Sequence, residues 1–466
     1  MITHYDFIVI GGGSAGYNAA AQAVRLGLKT AVIDGAKELG GLCILRGCMP
    51  SKTLIESADR FLTLRRAGEF GLSAERIGHD GAAILARKHK LIGEFAEYRR
   101  QQLESGKFSL VRGWASFVDA HTLAVQKVDG EVETLAGKTF LICTGSKIQL
   151  VGIPGLAKAG YWDTDAVLES AVIPKSIVIL GGGFSALEFA HYYSALGVET
   201  TLLQRSGRVM KEMDEDVTDA VTAALEKHGA KLICNTSLSR VERTPNGRRI
   251  HFSHEGKAQV IEAEQIVYAM GRQPQTEQLA LEKAGVAICK GYVEASLTQQ
   301  TSVAHIFAAG DVCGPYEIVH LAIQQGEIAA RNAARLLQNS TEEPEAMDYR
   351  LKMSIVFTHP EVATIGWSEL ELRAQGRPYL TASYPFNDHG KSLVMGETDG
   401  FVKLIVEEGT REILGAAVVG PRGSDLIHEL SAAMYFRATA MDLLRIPHYH
   451  PTLSEIWTYP AEELSV

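Results

Sequence analysis

Cysteine is scarce in this chain, with six among 466 residues. That is far below the density of a small extracellular domain stapled by disulfides, so a reducing cytoplasmic setting is expected, and any bridge that forms is expected to be a working one. Positive charge is in deficit too. Lys and Arg number 46 against 55 Asp and Glu, a net charge of −9, which leaves no basic footprint for a nucleic-acid partner. No apolar run approaches the ~20 residues of a membrane span. The opening Met1-Ile2-Thr3-His4-Tyr5-Asp6 lacks the basic and apolar regions of a secretory signal. With 46% hydrophobic and 22% charged residues, what remains is the composition of an ordinary folded α/β protein. Its length suggests about three domains.

Glycine is plentiful and placed. Phe7-Ile8-Val9-Ile10 reads as a buried strand, Gly11-Gly12-Gly13-Ser14-Ala15-Gly16 as a tight turn, and residues 17–26 as an alanine-rich helix. Thr30-Ala31-Val32-Ile33-Asp34 then reads as a second strand ending in an acid. In such a βαβ unit Gly11, Gly13 and Gly16 permit the turn, the approach of backbone to a pyrophosphate and close helix packing. The N-terminus of the helix that follows this turn, with Ser14 in the turn among the candidate binding residues, faces the phosphates, and Asp34 can take ribose hydroxyls. A purely structural glycine turn is the alternative. The pattern returns at Ser176-Ile177-Val178-Ile179-Leu180-Gly181-Gly182-Gly183-Phe184-Ser185-Ala186, with alanine in the third glycine position, followed by a strand at Glu199-Thr200-Thr201-Leu202-Leu203. Two such units imply two dinucleotides.

Directly after the first unit comes Gly40-Gly41-Leu42-Cys43-Ile44-Leu45-Arg46-Gly47-Cys48-Met49-Pro50-Ser51-Lys52. Two unbridged cysteines or half of a metal site are alternative readings of Cys43 and Cys48. Zinc would need further Cys or His at metal-site spacing, and none lies nearby, so no metal is expected. Beside a dinucleotide turn the pair reads as a redox-active disulfide. Cys48 opens a helical pattern over residues 50–64, whose N-terminal dipole would favour its thiolate.

Further along, residues 80–105 are a long polar helix candidate, and residues 139–146 a strand entering a turn at Thr144-Gly145-Ser146. Residues 151–174 are a Pro- and Gly-punctuated crossing. Ile306-Phe307-Ala308-Ala309-Gly310-Asp311 reads as strand and turn before a helix starting at Leu321, and after Pro344 shorter alternating strands mark a separate C-terminal domain. Cys143, Cys234, Cys289 and Cys313 are expected to be structural thiols, with Arg422 and His428 at a surface or interface.

In this order, residues 11–16 with Asp34, residues 41–52, Thr144-Gly145-Ser146, residues 181–188, Gly271-Arg272, Gly310-Asp311 and His448-Tyr449-His450-Pro451-Thr452-Leu453-Ser454-Glu455 resemble the class I pyridine nucleotide-disulfide oxidoreductases. The resemblance covers the whole chain. It implies an α/β fold with two Rossmann-like dinucleotide-binding domains and a C-terminal α+β dimerisation domain. Residues 1–150 and 273–345 would bind FAD, residues 151–272 NAD or NADP, and residues 346–466 would form the interface of a homodimer. Asp311 would contact the ribityl and pyrophosphate part of FAD. Asp34 stands where the family usually has glutamate. Lys52 and Glu188 match an ion pair near the flavin, Cys48 the flavin-side sulfur and Cys43 the substrate-side sulfur. His450 matches the base that moves the thiol proton, oriented by Glu455 and acting on the partner subunit's disulfide; His448 matches a neighbouring position.

Within the family, Pro50-Ser51-Lys52 and residues 448–455 sit closest to the lipoamide dehydrogenases, so a lipoyl group on a separate carrier protein is the first expected substrate. The chain runs eleven residues past Glu455 without another cysteine. That sets the expectation away from mercuric reductase and the large thioredoxin reductases. Leu42, Leu45 and Arg46 depart from the family pattern, and Arg46 admits an alternative, an NADPH-dependent reductase of a small anionic disulfide. A flavoprotein acting mainly as a binding subunit is a third reading. For the nicotinamide, Gln204 replaces the acid of NAD-using relatives and Arg205 follows it, which tips the expectation to NADP.

Overall fold

The computed structural model describes residues 2–465. The chain forms two compact units: Met1–Ser51, Arg87–Gln149 and Arg272–Asp348 make the first, and Lys52–Ala86, Leu150–Gly271 and Tyr349–Val466 the second.

The first unit is built on parallel strands in the order Ser109–Val111, Thr30–Ile33, Thr3–Ile10 and Val132–Ile142. Ile306–Ala308 joins the last of these, also parallel. Phe7, Ile8 and Val9 are fully buried, which is why this strand reads as an unbroken apolar run rather than an alternation. Helix Ser14–Arg25 buries Ala15, Ala19, Ala20 and Ala23. Against it packs helix Val319–Leu337 at close range, since a Cβ on Gly326 would stand 2.5 Å from the Ala15 carbonyl oxygen.

The second unit holds three sheets: a small antiparallel one pairs Thr236–Thr244, Gly247–His254 and Lys257–Ala263, and two larger ones have five strands each. One is parallel, in the order Ala230–Ile233, Glu199–Leu203, Ser176–Leu180, Gln265–Tyr268 and Trp162–Asp163. The other is antiparallel, in the order Met353–Val356, Glu361–Gly366, Ile413–Gly420, Phe401–Glu407 and Tyr379–Pro385. The latter's core closes on Trp457, Leu430 and Met434, all fully buried.

Several elements differ from the sequence reading. The crossing expected over 151–174 contains helices Leu156–Ala159 and Thr164–Leu168, and Trp162–Asp163 adds an edge strand to the parallel sheet. Two residues carry no periodicity, so this strand had no signal. Gly113–Asp119 and Thr122–Lys127 form an antiparallel extension on the first half of Val132–Ile142. The polar helix runs Gly81–Leu103, and the helix after the cysteine loop begins at Cys48 itself and continues to Arg65.

Candidate functional site

The first glycine turn is shaped by close backbone approaches. Gly11 has φ +114° and sits where a Cβ would meet the Cys143 carbonyl oxygen at 2.5 Å; at Gly16 a Cβ would overlap the Gly11 carbonyl oxygen at 1.8 Å. Gly13 faces open space apart from Gly41 Cα at 3.8 Å, and Ser14 starts the helix. Asp34 closes the second strand and accepts hydrogen bonds from the backbone N–H of Gly12 at 3.0 Å and of Ala36 at 2.8 Å. Burial pushes its carboxyl pKa up, against those two bonds. A half-buried carboxylate with spare lone pairs beside an open glycine cradle fits the ribose and pyrophosphate of an adenine dinucleotide.

The cysteine loop packs directly on this turn. A Cβ on Gly41, whose φ is +74°, would lie 2.6 Å from Gly13 Cα, so only glycine lets the two segments touch. Cys43 lies in the short helix Gly41–Leu45 and Cys48 at the start of helix Cys48–Arg65; both are half-buried, and Arg46 between them is exposed. Lys52 follows Cys48 by one helical turn. In the second unit its Nζ donates to both carboxylate oxygens of Glu188, at 2.8 and 2.9 Å, above the Phe357 ring. The Phe357 N–H adds a third bond to Glu188, at 3.1 Å. That carboxylate is 6% exposed, so the ammonium is held in one place.

A second layer completes the first unit's cradle. Ser146 donates to Asp311 at 2.6 Å and accepts from Arg272 at 2.8 Å. Thr144 donates to the Gln275 carbonyl at 2.7 Å, while Gly145 and Gly310 adopt φ +71° and +77°. Gln325 accepts from the Gly310 N–H at 2.7 Å. In the second unit, Gly271 turns with φ +112° after the strand Gln265–Tyr268.

The second glycine turn repeats the first. Gly181 has φ +120°, with the Ala269 carbonyl where a Cβ would go, and Gly183 faces open space. Gln204 occupies the place of Asp34, its Cδ 2.7 Å from where a Gly182 Cβ would be. Arg205 is exposed. Arg208 is engaged by Glu215 at 3.1 Å and Asp219 at 3.3 Å.

Near the C-terminus His450 is 80% exposed, and its Nδ1 lies 3.0 Å from the Glu455 carboxylate. Glu455 is buried and is backed by His389, which sequence reading did not single out: its Nε2 is 3.4 Å from Glu455, and its Nδ1 is 2.8 Å from Ser392 Oγ. Burial lowers the His389 pKa, with Glu455 opposing. Only folding brings it there. His448 is turned away into a separate pair with Glu429 at 2.6 Å. Of the other cysteines, Cys143 is buried, its pKa pushed far up by burial, and Cys313 rises to about 12 for the same reason. Cys234 is half-buried. Cys289 is exposed in the hairpin Ile288–Cys289 and Tyr292–Val293, against the expectation of a structural thiol; two-residue strands bury little. The carboxylates of Asp214, Asp216 and Glu369 gather closely enough for an ion, and the Lys403 ammonium bonds all three at 2.8–2.9 Å.

Two glycine turns over parallel sheets, with a Cys-x4-Cys loop packed on the first, define a dinucleotide-dependent redox protein. The family described as pyridine nucleotide-disulphide oxidoreductase matches residues 5–326, and its dimerisation domain matches residues 353–461. The chain is 32% identical over 459 residues to the dihydrolipoyl dehydrogenase of Geobacillus stearothermophilus, covering 98% of this chain and 95% of that one. It is 33% identical over 460 residues to that of Mycobacterium leprae, covering 97% of both. The fold is also that of the HOCl-induced flavoprotein disulfide reductase RclA from Escherichia coli, with TM-score 0.85, 24% identity and coverage of 98% and 99% of the two chains. RclA's Cu(II) complex matches at TM-score 0.86 with 24% identity, covering 99% of this chain and all of that one. The chain belongs to the pyridine nucleotide-disulfide oxidoreductase family. It is an FAD- and NAD(P)-dependent disulfide oxidoreductase. Among the described residues no helix is long and apolar enough to cross a membrane.

Proposed function

We propose that this enzyme oxidises the dihydrolipoyl group of a separate carrier protein, as a homodimer, passing the electron pair to NAD(P). The observation that carries its redox half is the packing of Gly41 on Gly13, which sets the Cys43–Cys48 loop against the dinucleotide turn. The lipoyl half rests on relatives named dihydrolipoyl dehydrogenase along the whole chain. FAD, bound at residues 11–16, Asp34 and Asp311, supplies two-electron transfer between the enzyme dithiol and the nicotinamide.

The residues divide the remaining work. A substrate thiolate attacks Cys43, releasing Cys48 as a thiolate that the N-terminus of helix Cys48–Arg65 stabilises. The second substrate sulfur then displaces Cys43, so the substrate leaves as a disulfide and the enzyme keeps both electrons. His450 takes the proton from each incoming thiol, and Glu455, backed by His389, holds the imidazole in the orientation that does so. Lys52, fixed by Glu188, places a positive charge one helical turn from Cys48. Overall, a dithiol and NAD(P)+ give a disulfide, NAD(P)H and one proton. Gln204 and Arg205 would receive the adenosine ribose of the nicotinamide cofactor, with NADP preferred, and the domain at 353–461 would form the dimer.

The test is direct. Dihydrolipoamide with NAD+ or NADP+ is followed by the rise of reduced-nicotinamide absorbance; turnover with neither removes the lipoyl assignment. The exposed Arg46 favours a second reading, a reductase of a small anionic disulfide, which glutathione disulfide with NADPH would reveal.

A further inference from the structure

Helix Gly81–Leu103 carries Arg99 and Gln102, three residues apart and therefore on one face. The Arg99 guanidinium lies over the Tyr17 ring, its Cζ 4.1 Å from the centroid. Tyr17 in turn belongs to the helix that opens the first glycine turn. The Nε and Nη1 atoms of Arg99 are buried and have no hydrogen-bond partner among the described residues, and the same holds for Gln102 Oε1. Burial lowers the Arg99 pKa, and Tyr17 links it to the cysteine loop: the Tyr17 N–H donates to the Gly13 carbonyl at 2.9 Å, and Gly13 faces Gly41, two residues before Cys43. Buried polar groups with no partner are costly and need one. Stacking uses the face of a guanidinium and leaves its edge donors for an acceptor.

We propose that Arg99 and Gln102 form a polar subsite beside Cys43 that reads an amide on the stem of the disulfide substrate, Arg99 donating to its carbonyl oxygen and Gln102 accepting from its N–H. This rests on the disulfide-exchange reading and sharpens it. A lipoyl group joined to a carrier lysine offers both an acceptor and a donor in one planar group. A free carboxylate satisfies Arg99 alone and leaves Gln102 Oε1 unpaired. The two residues are specificity determinants, outside the proton and electron transfers.

The test uses the FAD-loaded dimer with reduced nicotinamide and four disulfides: lipoamide, lipoate, glutathione disulfide and the neutral, stemless ring of oxidised dithiothreitol. Arg99→Leu is expected to cut kcat/KM for lipoamide tenfold or more, mainly through KM, and at least fivefold more than for the stemless ring. Gln102→Leu is expected to lower the lipoamide-to-lipoate ratio of kcat/KM at least threefold. FAD content and melting temperature of both variants should match the parent. An equal loss on lipoamide and the stemless ring overturns the subsite, and loss of FAD from Arg99→Leu reassigns the guanidinium to the cofactor and overturns it too. If the parent reduces glutathione disulfide but not lipoamide, the lipoyl reading fails separately. The subsite is then judged by the same Arg99→Leu comparison on glutathione disulfide.

Discussion

Arg205 is exposed two residues past the end of the strand Glu199–Leu203. Arg208 is held by Glu215 and Asp219, which leaves Arg205 the exposed guanidinium beside Gln204. Gln204 carries no charge to repel a 2′-phosphate, and a guanidinium donates to one. Arg205→Ala is therefore expected to raise KM for NADP roughly tenfold, about 1.5 kcal/mol of lost charge-assisted contact, with KM for NAD nearly constant. Steady-state kinetics with both cofactors checks this, and equal changes would return the site to NAD.

A second residue sets a pH limit. His228, whose side chain is 13% exposed, packs its ring 5.4 Å from that of His359 and 3.9 Å from Asp399 Oδ2. Burial, with His359 and His191 beside it, pushes its pKa down to about 4 against the pull of Asp399. Its folded pKa lies below the unfolded value of about 6.5, so its stabilisation is complete above that pH and is lost as pH falls toward 4. At pH 5 the deficit is about 2 kcal/mol. His359 works the other way: against burial, Glu397 and Asp59 raise its pKa, so its contribution is lost as pH rises through that raised pKa. Thermal melts at pH 7 and pH 5 should show a smaller acid loss for His228→Gln than for the parent. An unchanged loss would place the acid-sensitive group elsewhere.

At the scale of elements, Lys403 fastens three pieces of the second unit. It lies on the strand Phe401–Glu407, 1% exposed, and bonds Asp214 and Asp216 at the start of helix Glu215–Lys227 and Glu369 at the start of helix Glu369–Gln375. Removing the ammonium leaves Asp214 and Asp216 without an ion pair among the described residues, while Glu369 keeps Arg373 at 2.6 Å, and Asp214 is buried. Lys403→Met is expected to cost about 3–5 kcal/mol in denaturant unfolding; a loss within about 0.5 kcal/mol, as for a surface substitution, would contradict this. Motifs contained in one stretch of chain, such as the glycine turns and the Cys43–Cys48 loop, were legible because their chemistry depends on neighbours in sequence. Lys403, His389 and the Arg99–Gln102 face were not, since each acquires its partners only when segments far apart in the chain pack together. The strand Trp162–Asp163 escaped for a different reason: its pairing with Gln265–Tyr268 is set by the sheet's edge rather than by its own residues.

For the whole molecule, the dimer proposal is testable by mixing. If His450 serves the partner subunit's disulfide, His450→Ala and Cys43→Ser chains, each inactive alone, should recover activity once subunits exchange. The one hybrid site that holds both intact groups bounds the recovery at roughly a quarter of the parent rate when chains pair at random. Full exchange without recovery would place His450 and Cys43 in the same chain's site.

The first unit is assembled from three separate stretches of chain, and its sheet pairs Val132–Ile142 with Ile306–Ala308. During synthesis the ribosome delivers Gly11 and Asp34 early, but Asp311 and its supporting Gln325 arrive only after the whole intervening insertion has emerged. Contacts so distant in sequence form late. If Gly11, Asp34 and Asp311 hold the flavin together, cofactor capture is a checkpoint at the end of biogenesis, and a nascent chain released before that stretch would carry its dithiol loop without the flavin.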